Sequence, residues 1–259
     1  MIPAYAMTLT AAVLCAGAPD TRLIRGGGDP ARGVLVNHTI GSRPFDPPDR
    51  SLPTVVFVHG FNPMPRVVRF SMADRFAESF HRRGGPPFNL LGWDWNAATF
   101  DNISPKANAE AAVRQGQALA SALWFGAIDP GRTHLIGHSA GGMVVTSAAR
   151  DLALGRGRPV AQLTLLDPAT LYHSVIFERL AAGSLSPRVE NFWSPGPSAF
   201  GREVALPGVQ NIRVDGPASY AGLLCPLRSD HLFIVRWYLD TVADGRRPWG
   251  FNTSVLASR

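Results

Sequence analysis

Cysteine is nearly absent: the 259 residues contain two, Cys15 and Cys225. That excludes a disulfide-dense scaffold and a multi-cysteine zinc site, and leaves at most one bridge between distant positions. Charge is sparse as well, at 17% of residues, and Lys106 is the single lysine among 25 basic residues. The net charge of +6 sits on scattered arginines interrupted by acids. Pairs such as Arg82-Arg83 and Arg246-Arg247 are too short for the basic stripe that nucleic acid requires, so no nucleic-acid partner is expected. No apolar run reaches the ~20 residues of a spanning helix, and no transmembrane segment is expected. Met7 to Ala18 is uncharged and apolar, with Ala16-Gly17-Ala18 placed like a cleavage tripeptide, yet no Lys or Arg precedes it. Export and a cytoplasmic location both stay open.

What the chain does have is apolar material, 46% of its residues, enough for one large core, since single α/β domains often reach ~250 residues. Residues 1–32 read as a leader, either a signal segment or a flexible arm, and 33–259 as a single domain. Within it, short β-branched and apolar runs recur: Gly33 to Ile40, Thr54 to Val58, Asn89 to Trp93, Thr133 to Ile136, Ala161 to Leu166, Arg188 to Trp193 and Gln210 to Val214. Continuous apolar runs of this length predict strands buried on both faces, as in parallel sheets. Helical segments lie between them. Val67 to His81 is one; Ser104-Pro105 starts another that runs to about Phe125; Ala140 to Leu154 stops at Gly155; His231 to Val242 is the last. Alternating strands and helices predict an α/β fold with a doubly wound, mostly parallel sheet, helices on both faces, and sites at the carboxyl ends of strands.

The sharpest motif is Gly137-His138-Ser139-Ala140-Gly141, an apolar strand before it and a helix after it. A serine on such a sharp strand-to-helix turn is lifted above the sheet, and small residues two before and two after let neighbouring backbone approach. The N–H of Ala140, at a helix start, is placed to stabilise an oxyanion. A hydroxyl nucleophile needs a base, and the base needs a carboxylate that fixes its tautomer; the chain order on such a fold is Ser, acid, His. Only His173 and His231 follow Ser139. His173 lies six residues past Asp167, on the same local turn or helix, so His231 is the expected base. Asp167 and Asp215 each follow a strand-like run, and pattern alone leaves both open as the acid. A second oxyanion donor is expected from the loop after an earlier strand, where His59-Gly60-Phe61 provides a tight turn and the N–H of Phe61; an ordinary surface turn is the alternative. His134 and His138 span a strand and a turn rather than one helix face, which argues against a metal pair. Asn37-His38-Thr39 is formally a glycosylation triplet. Gly26-Gly27-Gly28 lacks the strand and helix that a phosphate-binding loop requires.

These residues resemble the α/β-hydrolase superfamily and, within it, the pancreatic-lipase-like group of lipases and phospholipases. The resemblance runs from about Pro53 to Asp240. His59-Gly60-Phe61 is similar to that group's oxyanion loop, Gly92-Trp93-Asp94-Trp95 to its fourth-strand ending, and Ala107-Asn108 with Arg114-Gln115-Gly116 to the start of its next helix. Gly137 to Gly141 matches the elbow, Leu166-Asp167-Pro168-Ala169 the segment that carries the acid, and Arg228-Ser229-Asp230-His231 with Trp237-Tyr238 the histidine-bearing stretch. The resemblance therefore favours Asp167 over Asp215. The group's large secreted enzymes carry several disulfides, a C-terminal lipid-binding sandwich and a long lid, none of which this sequence matches. The stretch from His173 to Tyr220, with Phe177, Phe192, Trp193 and Phe200, reads either as a short cap lining an acyl pocket or as ordinary packing. Asp94 is taken as structural, and core is the expected place for Trp93 and Trp95.

The resulting expectation is a serine hydrolase of carboxylic esters, lipid-like or short-acyl. Ser139 is the nucleophile, His231 the base, Asp167 the acid, and the N–H groups of Phe61 and Ala140 the oxyanion donors. No metal or organic cofactor and no protein partner is implied. A non-catalytic binding protein of the same fold, or an acyltransferase, thioesterase or peptidase using the same residues, remains the alternative.

Overall fold

The computed structural model describes residues 33–62, 72–84, 87–100, 104–196, 199–216 and 230–257. The expected leader 1–32, both cysteines, Arg228-Ser229 and the first turn of the helix expected from Val67 lie outside the described residues. Seven strands form one sheet: β1 (Val34–Asn37), β2 (Thr54–Val58), β3 (Asn89–Asp94), β4 (Thr133–His138), β5 (Gln162–Leu166), β6 (Val189–Trp193) and β7 (Val209–Arg213). Their order is β1-β3-β2-β4-β5-β6-β7. Every neighbouring pair is parallel except β1 with β3. Each of the seven apolar runs is a strand.

The helices are α1 (Met72–Arg83), α2 (Asn96–Phe100), α3 (Pro105–Phe125), α4 (Gly141–Arg156), α5 (Thr170–Arg179) and α6 (Asp230–Ala243). α3 starts as its sequence predicts: Ser104 accepts the N–H of Ala107 and a proline occupies the first turn, which supplies a donor's missing partner and needs none of its own. α4 runs past the expected stop at Gly155. That glycine lies against Trp124, where an added Cβ would approach the indole to 3.2 Å. The helix ends two residues later at Gly157, with φ of 62°, the left-handed conformation that glycine adopts without a Cβ clash. α2 carries no sequence signal beyond its five residues. α5 has no side-chain cap and breaks at His173 (φ −142°), so neither gave a helical pattern strong enough to delimit it.

Because a strand's side chains alternate between faces, the buried strands feed two cores. Val56, Val58, Leu91, Leu135, Leu163, Leu165 and Val189 pack with α3, α4 and α5, including Leu119, Leu123, Val144, Ala148 and Phe177. Val55, Phe57, Leu90, Ile136, Leu166 and Phe192 pack with α1 and α6 and with the segment after α6, through Phe76, Phe80, Tyr238, Phe251 and Leu256. Each large apolar side chain buried this way contributes about 1.5–3 kcal/mol. Phe177 and Phe192 are thus core residues. No helix among the described residues is long and apolar enough to cross a membrane. Asn37 is buried and its Nδ2 donates to the carbonyl of Asp46.

The register places the carboxyl ends of three adjacent strands at one level. Val58 of β2 pairs with Gly137 of β4, and His138 of β4 with Leu166 of β5. The residues that follow, His59-Gly60, Ser139 and Asp167, therefore emerge side by side at the same edge.

Candidate active site

Two residues separate β4 from α4, and the first, Ser139, has φ of 55°. A non-glycine side chain in that region costs about 1–3 kcal/mol and persists only where its surroundings enforce it. Here they do. The N–H of Ser139 donates to Leu166 O at 3.0 Å, and Ser139 O accepts the N–H of Gly142 at 3.0 Å. The glycines on either side allow the turn to close: a Cβ on Gly137 would lie 2.4 Å from Gly141 O, and one on Gly141 would lie 2.5 Å from the carbonyl oxygens of both Val58 and His59. Ala140 leads into α4, at the positive end of a 16-residue helix.

Asp167 follows β5 directly, with φ of 41° and no exposure to solvent. Its carboxylate accepts N–H groups from Phe200 (Oδ2, 3.0 Å) and Gly201 (Oδ1, 3.0 Å). His231, in the first turn of α6, brings its Nδ1 to 2.5 Å from Asp167 Oδ2. Since a buried carboxylate in this setting only accepts, Nδ1 carries the hydrogen and the Nε2 lone pair is left for another proton. The Phe200 ring meets the His231 ring edge-on at 4.6 Å, and the His138 ring lies 4.4 Å away on another side. The His138 Nε2–H donates to His231 O at 3.2 Å. Burial, with the neighbouring His231 second, pushes His138 well below the ordinary imidazole range, so it stays neutral beside His231.

Asp215, the other sequence candidate, is 68% exposed and paired with Arg213 at 2.9 Å. It follows β7, two strands beyond β6's inner neighbour β5 in the sheet order. The structure thus joins His231 to Asp167 and leaves Asp215 at the surface. His173 sits at the break inside α5.

The loop after β2 lies against Ser139. A Cβ on Gly60 would come within 2.7 Å of Ser139 Cβ and 3.2 Å of its Oγ, so the Gly60-Phe61 peptide borders the hydroxyl. The far side of this loop is tied to the end of β3 and to α2. Asn62 Nδ2 donates to Asn96 Oδ1 at 2.7 Å, and Thr99 Oγ1 donates to Asn62 O at 2.8 Å. Asp94 accepts the N–H and Nδ2 of Asn96. Burial opposes its ionisation, but the Asn96 donors hold it below the ordinary carboxylate range. Both tryptophans are core, as expected: Trp93 Nε1–H donates to Gln115 and Trp95 Nε1–H to His59 O.

Sequence reasoning missed the Phe200-Gly201 clamp on Asp167. Main-chain donors carry no side-chain signature, and the one trace is Gly201, where a Cβ would fall 2.4 Å from Asp167 Oδ1. His138, which the sequence showed only as an unsuitable metal partner for His134, packs against the His231 ring.

The strand order, the parallel register and the strand-turn-helix at Ser139 make this an α/β-hydrolase fold. No protein-family model matches the chain, and the search of curated proteins finds no relative. Solved structures do match. A Pyrobaculum calidifontis esterase is 15% identical over 82% of this chain and 84% of its own, with a TM-score of 0.41. EstE1, a thermophilic carboxylesterase cloned from a metagenomic library, is 13% identical over 94% and 96%, with a TM-score of 0.46. Thermogutta terrifontis esterase 2, phosphonylated by sarin, is 12% identical over 85% and 95%, with a TM-score of 0.45.

Proposed function

We propose that this chain is a serine hydrolase that cleaves carboxylic esters through an acyl-enzyme. The observation that carries the reading is the convergence of three groups at one sheet edge: Ser139 in its left-handed turn, Asp167 on the adjacent strand end, and His231 bonded to Asp167 at 2.5 Å. On this reading Ser139 Oγ attacks the ester carbonyl while Nε2 of His231 takes its proton. Asp167 holds the ring in the Nδ1–H tautomer and stabilises the imidazolium as it forms. The N–H groups of Phe61 and Ala140 donate hydrogen bonds to the carbonyl oxygen as negative charge develops on it. His231 then returns the proton to the departing alkoxide. Water, deprotonated by the same Nε2, resolves the acyl-enzyme and regenerates Ser139. None of these steps calls for a metal or an organic cofactor. The substrate is a small or lipid-like ester.

The test is labelling with a fluorophosphonate, which reacts covalently with activated serines, on the wild type and on Ser139→Ala, with p-nitrophenyl esters of increasing acyl length as the second readout. Labelling and turnover that both vanish in the variant support the reading. A folded wild type that neither labels nor turns over ester overturns it.

A further inference from the structure

We infer that His59 is a positioning residue that aims the N–H of Phe61 at the oxyanion; this rests on the hydrolase reading above. The carbonyl of Gly60 and the N–H of Phe61 belong to one peptide unit. In a trans peptide, which every described peptide bond is, the two point in opposite directions within one plane. Whatever holds Gly60 O therefore sets the direction of Phe61 N–H.

His59 Nδ1 lies 2.7 Å from Gly60 O. A carbonyl oxygen only accepts, so Nδ1 carries the hydrogen and donates it. The ring is held so that it can do nothing else. Its Nε2 accepts the main-chain N–H of Trp95 at 3.2 Å, which fixes the Nδ1–H tautomer. The carbonyl of the same residue accepts Trp95 Nε1–H at 2.9 Å, and the imidazole stacks on the indole with centroids 5.7 Å apart and planes at 21°. Asp94 Oδ1 stands 3.7 Å from Nε2, beyond hydrogen-bond reach. His59 is buried, and the peptide it holds is the one that Gly60 presses against Ser139. A hydrogen bond accepted at Gly60 O also polarises the peptide and makes its N–H a better donor. In this way the end of β3 reaches the reacting centre through His59, without touching substrate.

The experiment measures kcat, KM and the Ki of a trifluoromethyl ketone, whose hydrated or serine-bound oxygen occupies the oxyanion position, for wild type, His59→Ala, His59→Asn and His59→Gln. Active sites are counted by fluorophosphonate titration. Removing a donor of this kind costs roughly 10²–10³-fold in rate; misaiming it in His59→Ala is expected to lower kcat about 10–100-fold with little change in KM, and to raise the ketone Ki by the same factor. The Asn amide nitrogen occupies the place of Nδ1 and should recover most of both losses, whereas the Gln amide sits one atom further out and should not. A purely structural role would lower the number of titratable sites and leave kcat and Ki per site unchanged, which overturns the inference while the labelled wild type sustains the hydrolase reading. If His59→Ala does not fold, the Asn and Gln variants decide, and equal Ki values for the two overturn it. A wild type that does not label overturns the hydrolase reading and this inference with it.

Discussion

Asp167 is a carboxylate without solvent, and each of its oxygens is engaged by N–H donors from Phe200, Gly201 and His231. An amide in its place offers one oxygen to three donors and sets an NH2 group against at least one of them. Asp167→Asn should therefore lower ester turnover roughly 10³–10⁴-fold, the scale expected when a base loses its tautomer. Asp215→Asn, at an exposed ion pair, should stay within about twofold of wild type in the same assay, because such pairs are worth little. The two aspartates look alike in sequence, each at the end of an apolar run. What separates them is which strand lies beside β4, and long-range pairing decides that. The turn at Ser139 was legible because its local geometry is written in five consecutive residues. His59 read only as part of a tight turn, since its partners come from Trp95, 36 positions away.

Among the elements, the strands were the most legible, for burial on both faces leaves short runs with few alternatives. The helices were legible where caps and glycines mark their ends and not where, as in α5, the chain bends inside the helix. The α3–α4 contact shows the limit of such reading. Gly116 lies mid-helix, where glycine is unfavourable by about 1 kcal/mol relative to alanine, so propensity alone favours Gly116→Ala. In the folded chain a Cβ there would lie 2.4 Å from both Ser147 Cβ and Val144 O, and Ser147 Oγ bonds Val113 O across the same crossing. The substitution must spread the two helices, one of which starts at the turn that carries Ser139. Overpacking of this kind costs about 1–3 kcal/mol, and Gly116→Ala is expected to lower the urea midpoint despite its gain in propensity.

On the scale of the molecule, a buried polar seam joins the sheet to the segment after α6. His134 on β4 bonds Thr164 Oγ1 at 2.8 Å and Ser254 Oγ at 3.0 Å. Glu190 takes Gln162 and Arg188, and Gln162 Oε1 accepts the N–H of Val255. Burial, and after it the Arg188 cation, lowers the His134 pKa from 6.5 to about 3. In the unfolded chain the same ring takes a proton near pH 6.5. Its contribution to stability is therefore complete above that pH, falls as pH drops from 6.5 towards 3, and levels off below; His138 adds to the loss in the same direction. At about 1.4 kcal/mol per pH unit, His134 alone should remove about 1 kcal/mol between pH 6 and pH 5, read as a falling urea midpoint. His134→Gln should start lower and show a shallower decline. The register described above has a different kind of consequence. Two of the groups assigned to the chemistry, the N–H of Phe61 and the N–H of Ala140, are main-chain atoms hung from β2 and β4, so the spacing of paired strands sets their separation and His59 sets the aim of the first. Mutation in the surrounding loops can redraw what enters the site without moving these parts, so a lineage built on this chain can change its diet before it changes its chemistry.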